Sequence, residues 1–180
     1  SVTLERSTVS ATIEGGNSAT AAANITVTSG EAGQLNIDGT QITTLARAAN
    51  GGDITINGSG GGSLSLDDTL IQASAGASGA GGDILIHRVG QTIMQRTRIL
   101  AQAEDGNGGA VNINLMPGAP FILDNQSTIS ADSNSGNDGE VNISTPDVDL
   151  NNAIQLGINL IAFVVDVVQI EDQLGHASII

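Results

Sequence analysis

Three acids, Asp53, Asp83 and Glu140, recur at one position of a repeated motif, and Asp67-Asp68 lie on a neighbouring turn. Two carboxylates across one groove are what glycoside hydrolysis needs, one as acid and one as base or nucleophile. Acids at one place in a repeat are equally the solvated turn residues that the repeat favours, and that plainer reading is preferred. Sugar grooves usually offer aromatic faces, yet the chain has two Phe, no Trp and no Tyr. Nucleophilic catalysis has less to work with. There is no Cys, and His87 and His176 are isolated, in no triad motif. A metal site built on His alone would lack ligands. Asp132-Ser-Asn-Ser-Gly-Asn-Asp138 and Glu104-Asp-Gly-Asn107 are oxygen-rich turns of the kind that hold Ca²⁺ weakly. Neither has the spacing of an EF-hand or of a calcium-binding nonapeptide repeat. The expectation is a non-enzyme with no cofactor, with weakly bound Ca²⁺ left open.

The elements that carry these residues are repeats. Asn50-Gly-Gly-Asp-Ile-Thr-Ile-Asn57 returns as Ala80-Gly-Gly-Asp-Ile-Leu-Ile-His87, Asn107-Gly-Gly-Ala-Val-Asn-Ile-Asn114 and Asn137-Asp-Gly-Glu-Val-Asn-Ile-Ser144. A degraded copy opens the series at Ala22-Ala-Asn-Ile-Thr-Val-Thr28. The first apolar residues, Ile25, Ile54, Ile84, Val111 and Val141, step by 29, 30, 27 and 30. A fixed period in this range signals a solenoid.

Each repeat holds three strand signals with period-2 alternation. The pairs Ile25/Val27, Ile54/Ile56, Ile84/Ile86, Val111/Ile113 and Val141/Ile143 are wholly β-branched, which suits a buried pleated face. A second column reads Val2/Leu4, Leu35/Ile37, Leu64/Leu66, Thr92/Met94 and, less cleanly, Ile122 with Leu123. A third reads Val9/Ala11, Ile42/Thr44, Ile71/Ala73, Ile99/Ala101 and Ile129/Ala131, a large residue followed by a small one, as a narrow corner requires. The predicted fold is all-β: a parallel β-helix of about five coils, rising roughly 4.8 Å per coil.

The turns agree with this. Gly51-Gly52, Gly81-Gly82 and Gly108-Gly109 precede one strand, where a positive φ is expected. Ser7, Thr40, Thr69, Thr97 and Ser127 each lie two residues before an apolar position, where a hydroxyl can bond the turn backbone. Leu123 to Ser127 has one residue more than its counterparts, which predicts a bulge.

Outward columns of the Gly-Gly strand read Thr26–Thr55–Leu85–Asn112–Asn142 and Thr28–Asn57–His87–Asn114–Ser144. Asn stacks of this kind can bond along the axis and stiffen the coil. His87 is read there as an exposed ladder residue.

The net charge of −14 repels nucleic acid and anionic membranes, so neither is an expected partner. The chain begins at Ser1, not Met, and reads as an excised piece of a longer precursor.

The repeats, residues 1–145, give way to residues 146–180. Gly is sparse there and Ile154, Leu156, Ile158, Leu160, Phe163, Val165, Val168 and Ile170 are crowded together. One reading is a cap over the exposed end of the coil stack. The other is an assembly interface for a further segment or another copy.

The repeats resemble those of filamentous haemagglutinin-like large exoproteins, the passengers of two-partner secretion. The match is carried by Leu35-Asn-Ile-Asp-Gly-Thr-Gln-Ile42 running to Gly51-Gly-Asp-Ile-Thr-Ile56, and by Ser127-Thr-Ile-Ser-Ala131 followed by Gly139-Glu-Val-Asn-Ile143. Thr145-Pro-Asp-Val-Asp-Leu150 and Val165-Asp-Val-Val-Gln-Ile170 are similar to the segment closing the repeats in such proteins, although Leu156-Gly157 stands where Leu-Pro is common. The resemblance implies a right-handed coil and a secreted or cell-surface adhesin. Its partners would be an outer-membrane transporter during secretion, then a host or neighbouring-cell surface, a polysaccharide matrix or other copies of itself. A self-assembling fibre subunit is the alternative, and a polysaccharide-active enzyme a further one.

Overall fold

The computed structural model describes residues 1–13, 23–31, 33–76 and 79–144. Fifteen short strands follow one another. Val2–Glu5 (β1), Thr8–Ile13 (β2) and Ile25–Thr28 (β3) make coil one; Leu35–Asp38 (β4), Gln41–Ala46 (β5) and Ile54–Asn57 (β6) make coil two. Coil three is Leu64–Asp67 (β7), Leu70–Ala75 (β8) and Ile84–Val89 (β9), and coil four is Thr92–Gln95 (β10), Arg98–Leu100 (β11) and Val111–Leu115 (β12). Phe121–Leu123 (β13), Thr128–Ser130 (β14) and Val141–Ser144 (β15) make coil five.

Each strand pairs in parallel with its counterpart one coil away. Sheet A runs β1-β4-β7-β10-β13, sheet B β2-β5-β8-β11-β14, and sheet C β3-β6-β9-β12-β15. This is the parallel β-helix of about five coils that the repeat period predicts. Like residues stack on like: Ile25, Ile54, Ile84, Val111 and Val141 are successive partners in sheet C. Val9, Ile42, Ile71, Ile99 and Ile129 are successive partners in sheet B. The inward residues of coils two to four form one aliphatic core in which Ile37, Ile56, Leu66, Ile71, Ile86 and Ile99 are fully buried. Coil one packs against that core with Val2, Leu4, Val9, Ala11 and Val27 half-buried.

Three expectations are corrected. The coil-five partner of Thr92 is Phe121, not Ile122; Leu123 pairs with Met94, and Ile122 points outward. The run Phe-Ile-Leu has no alternation to fix its phase. The Thr92 amide donating to the Pro120 carbonyl at 2.9 Å sets it.

The Gly-Gly pairs do not serve positive φ, which glycine takes only at Gly39, Gly60, Gly61 and Gly118 among the described residues. They serve close approach. A Cβ on Gly82 would lie 2.2 Å from the Gly52 carbonyl oxygen, one on Gly109 2.2 Å from that of Gly82, and one on Gly139 1.8 Å from that of Gly109. Coils touch backbone to backbone along this column, and any side chain would push them apart.

The extra residue between Leu123 and Ser127 forms no bulge in a strand. It enlarges the turn, where the Asp124 carboxylate accepts from the Gln126 amide (3.2 Å) and the Ser127 hydroxyl (2.5 Å). The irregular register lies instead at Arg88, between the pairs Asn114–His87 and Leu115–Val89.

Candidate functional site

The corner between sheets A and B concentrates charge. Its rungs are Glu5-Arg6-Ser7, Asp38-Gly39-Thr40, Asp67-Asp68-Thr69, Gln95-Arg96-Thr97 and the longer Asp124-Asn125-Gln126-Ser127. The middle residue of the first four rungs is left-handed: φ is 45° at Arg6, 55° at Gly39, 45° at Asp68 and 46° at Arg96. For a non-glycine residue this costs about 1–2 kcal/mol. Bonds offset it. The hydroxyls of Ser7, Thr40, Thr69 and Thr97 donate to the carbonyl two residues back at 2.8 to 2.9 Å. The amides of Arg6, Gly39 and Asp68 donate to carbonyls of the next coil at 2.9 to 3.1 Å. The hydroxyl column thus does what its spacing predicts, and Thr40, Thr69 and Thr97 are buried in doing so.

This corner places three of the five arginines. Arg96 forms an ion pair with Asp67, one coil before it. Arg98 lines a shallow cleft of about 230 Å³ with Gln41, Asp68 and Thr69. Arg6 lies over Gly39, whose added Cβ would meet the Arg6 Cγ at 3.2 Å. At the last rung of this corner, the Asp124 carboxyl is held below the ordinary carboxylate range, chiefly by the Ser127 hydroxyl, against a smaller opposing effect of desolvation.

The stacked acids belong to a second ladder, at the entry to sheet C. The Asp53 amide donates to Asn24 Oδ1 (2.8 Å), the Asp83 amide to Asp53 Oδ1 (2.9 Å), and the Ala110 amide to Asp83 Oδ1 (2.8 Å). Each carboxylate therefore caps the backbone of the coil after it. Glu140 ends the column, and its side chain takes no such bond among the described residues. A parallel ladder runs through Asn50 Oδ1, which accepts from the Ala80 amide, and Asn107 Oδ1, which accepts from Asn137. Sequence reasoning missed these bonds, although acceptors at Asn24, Asp53 and Asp83 recurring at the coil period were the available signal.

The remaining candidates stay apart. His87 is half-buried on the outward side of β9, between Asn57 and Asn114 in its column. Of the expected Asn stacking, the Ser144 hydroxyl donating to Asn114 Oδ1 at 3.1 Å is the bond formed. The two oxygen-rich turns line an open depression of about 400 Å³ with Glu104, Asp132 and Asn134. Asp132 and Asp138 there accept from the Ser130 hydroxyl and the Ser133 amide. No group of three His, Cys, Asp or Glu that could hold a metal occurs among the described residues. The Ile154–Ile170 interface lies outside the described residues.

Coil five exposes apolar side chains. At coil five, Ile122 is 49% exposed, Leu123 43%, Val141 39% and Ile143 36%. Among the described residues their strands, like those of coil one, have a paired neighbour on one side alone. Comparison of the chain with protein-family models, with curated proteins and with solved structures gave no match.

Proposed function

We propose that this chain is a non-catalytic β-helical rod from a secreted exoprotein of the filamentous haemagglutinin kind, which holds adhesive surfaces away from the cell. The observation that carries this reading is the use of the polar columns. Asp53 and Asp83, the residues best placed for paired-carboxylate chemistry, are spent as acceptors for backbone amides one coil away. The Ser/Thr column likewise bonds the corner turns. What faces outward is a set of loops and small polar residues on a stiff support, the arrangement of a scaffold that displays binding surfaces. The repeat motifs quoted above support the family reading, and secretion to the cell surface goes with it.

Beads carrying the full chain test this reading. They are expected to adhere to bacterial or host cells or to a polysaccharide matrix, and free chain should compete. Beads carrying Ile56→Asp, which places a charge in the core, serve as the unfolded control. Equal adhesion of the two would refute the reading. Release of soluble sugar from acidic or neutral glycans would replace it with an enzyme.

A further inference from the structure

We propose that hydrogen bonding in the coil stack guards five of the chain's six Asn-Gly and Asp-Gly pairs against spontaneous succinimide formation and leaves Asp105-Gly106 open as the site of modification. The inference is independent of what the rod adheres to.

Asn-Gly and Asp-Gly are the chemically weakest pairs of a polypeptide. The glycine amide nitrogen attacks Cγ of the preceding side chain, and a five-membered succinimide closes. A Cγ–N bond forms and the bond from Cγ to the leaving group breaks. The glycine amide proton departs with that group, as ammonia from Asn or as water from Asp. Water then reopens the ring at either carbonyl, which leaves Asp or isoaspartate. Glycine permits the attack because it has no Cβ to obstruct it.

The fold cannot avoid such pairs. A Cβ on Gly51, Gly58, Gly106 or Gly108 would overlap an atom of a neighbouring coil, so close approach demands glycine there. The pairs that result are Asn50-Gly51, Asn57-Gly58, Asn107-Gly108 and Asp105-Gly106, with Asp38-Gly39 and Asp138-Gly139 beside them.

In five of these pairs the attacking nitrogen is already committed. The amides of Gly39, Gly51, Gly58 and Gly108 donate to the carbonyls of Asp67, Ala80, His87 and Asn137 in the next coil at 2.9 to 3.0 Å. The Gly139 amide donates to the Ala131 carbonyl at 2.7 Å. Two of the side chains under attack are held as well: Asn50 Oδ1 accepts from the Ala80 amide at 2.9 Å, and Asn107 Oδ1 from the Asn137 amide at 3.2 Å. At Asn50 and Asn107 the ring can close only after the coil above has lifted locally. Breaking two bonds of ordinary net strength slows that step roughly thirtyfold.

Asp105-Gly106 differs. It lies in the turn between β11 and β12, and Asp105 is exposed. Among the described residues neither the Asp105 side chain nor the Gly106 amide makes a hydrogen bond. The Gly106 carbonyl, which takes no part in the attack, accepts from the Ser133 hydroxyl at 2.5 Å. Isoaspartate at this point adds one carbon to the backbone, in a turn whose Gly106 carbonyl packs against Gly136 of the next coil.

The test ages the full chain at neutral pH, folded in buffer and unfolded in urea, and maps both by peptide mass spectrometry with enzymatic methylation of isoaspartate. Asn50 and Asn107 should deamidate roughly thirtyfold more slowly, or slower still, in the folded chain. Asp105 should form isoaspartate at much the same rate in both. Asp105→Asn sharpens the contrast, because it sets two Asn-Gly pairs two residues apart. Position 105 should then deamidate roughly thirtyfold faster than Asn107 in the folded chain, and at a similar rate in urea. Equal rates at the two positions in a variant with native circular dichroism overturn the proposal. If the variant is not native, the folded-to-unfolded ratios of the parent chain decide alone, and isoaspartate formation at Asp105 slowed as strongly as deamidation at Asn107 overturns the proposal.

Discussion

Replacing Gly82 by Ala tests the backbone contact between coils directly. The added Cβ would stand 2.2 Å from the Gly52 carbonyl oxygen and 2.7 Å from its carbon. An ordinary C···O contact is about 3.3 Å or longer, so the coils must separate locally by roughly 1 Å. Three bonds cross this corner: Gly51 amide to Ala80 carbonyl, Ile54 amide to Asp83 carbonyl, and Asp83 amide to Asp53 Oδ1, each 2.9 Å. Stretched by 1 Å they leave hydrogen-bonding range. At about 1 kcal/mol each, their loss costs about 3 kcal/mol, within reach of ordinary overpacking costs. For a domain of this size that lowers Tm by roughly 6–12 °C. Gly30 is the matched control. It has no positive φ, and nothing lies within 4 Å of its added Cβ. Gly30→Ala should be neutral or stabilising by about 0.4–1 kcal/mol through the unfolded chain. Thermal and urea unfolding, followed by far-ultraviolet circular dichroism, compare the two. Equal midpoints would refute close approach as the reason for the Gly-Gly pairs.

Other outcomes follow from the same columns. Ile56→Asp should abolish the folded signal, because an unpaired charge would enter a fully buried ladder; size-exclusion chromatography would report the collapse. Asp83→Asn should keep its stability, since an amide oxygen still accepts from Ala110, whereas Asp83→Ala should cost about 1 kcal/mol in urea unfolding. Thr69→Val should cost about 1–2 kcal/mol by removing hydroxyl bonds to Asp67 and Ile37 from a buried site. Asp124 has a lowered folded pKa, so it stabilises the fold above its unfolded value. That contribution is lost as pH falls through the folded value. Ser127→Ala removes the largest cause and should raise the Asp124 pKa, read by carboxyl NMR titration.

The fold was legible because aliphatic pairs recur at a fixed period, and stacking like on like is what that period demands. Ile54, Ile84 and Val111 could be aligned before any coordinate was known. The phase of coil five was not legible, because Phe121-Ile122-Leu123 offers three apolar residues in a row. The reason for Gly52, Gly82 and Gly109 was misread, because a local turn argument cannot see a carbonyl in the next coil. The stacked acids were misleading for a related reason. Asp53 and Asp83 look alike as a catalytic pair and as a capping ladder until their amide partners are placed. The left-handed conformations of Arg6, Asp68 and Arg96 carried one sequence signal, their alignment with Gly39.

The coil stack itself is tested most directly by a distance along its axis. The chain has no Cys, so Thr26→Cys with Asn142→Cys gives two clean sites for nitroxide labels. Both residues are exposed and lie in one outward column of sheet C, at coils one and five. Four coil steps of about 4.8 Å predict a separation of roughly 19 Å, seen as a narrow distribution in double electron–electron resonance. A broad distribution, or one centred well beyond 30 Å, would contradict the parallel β-helix.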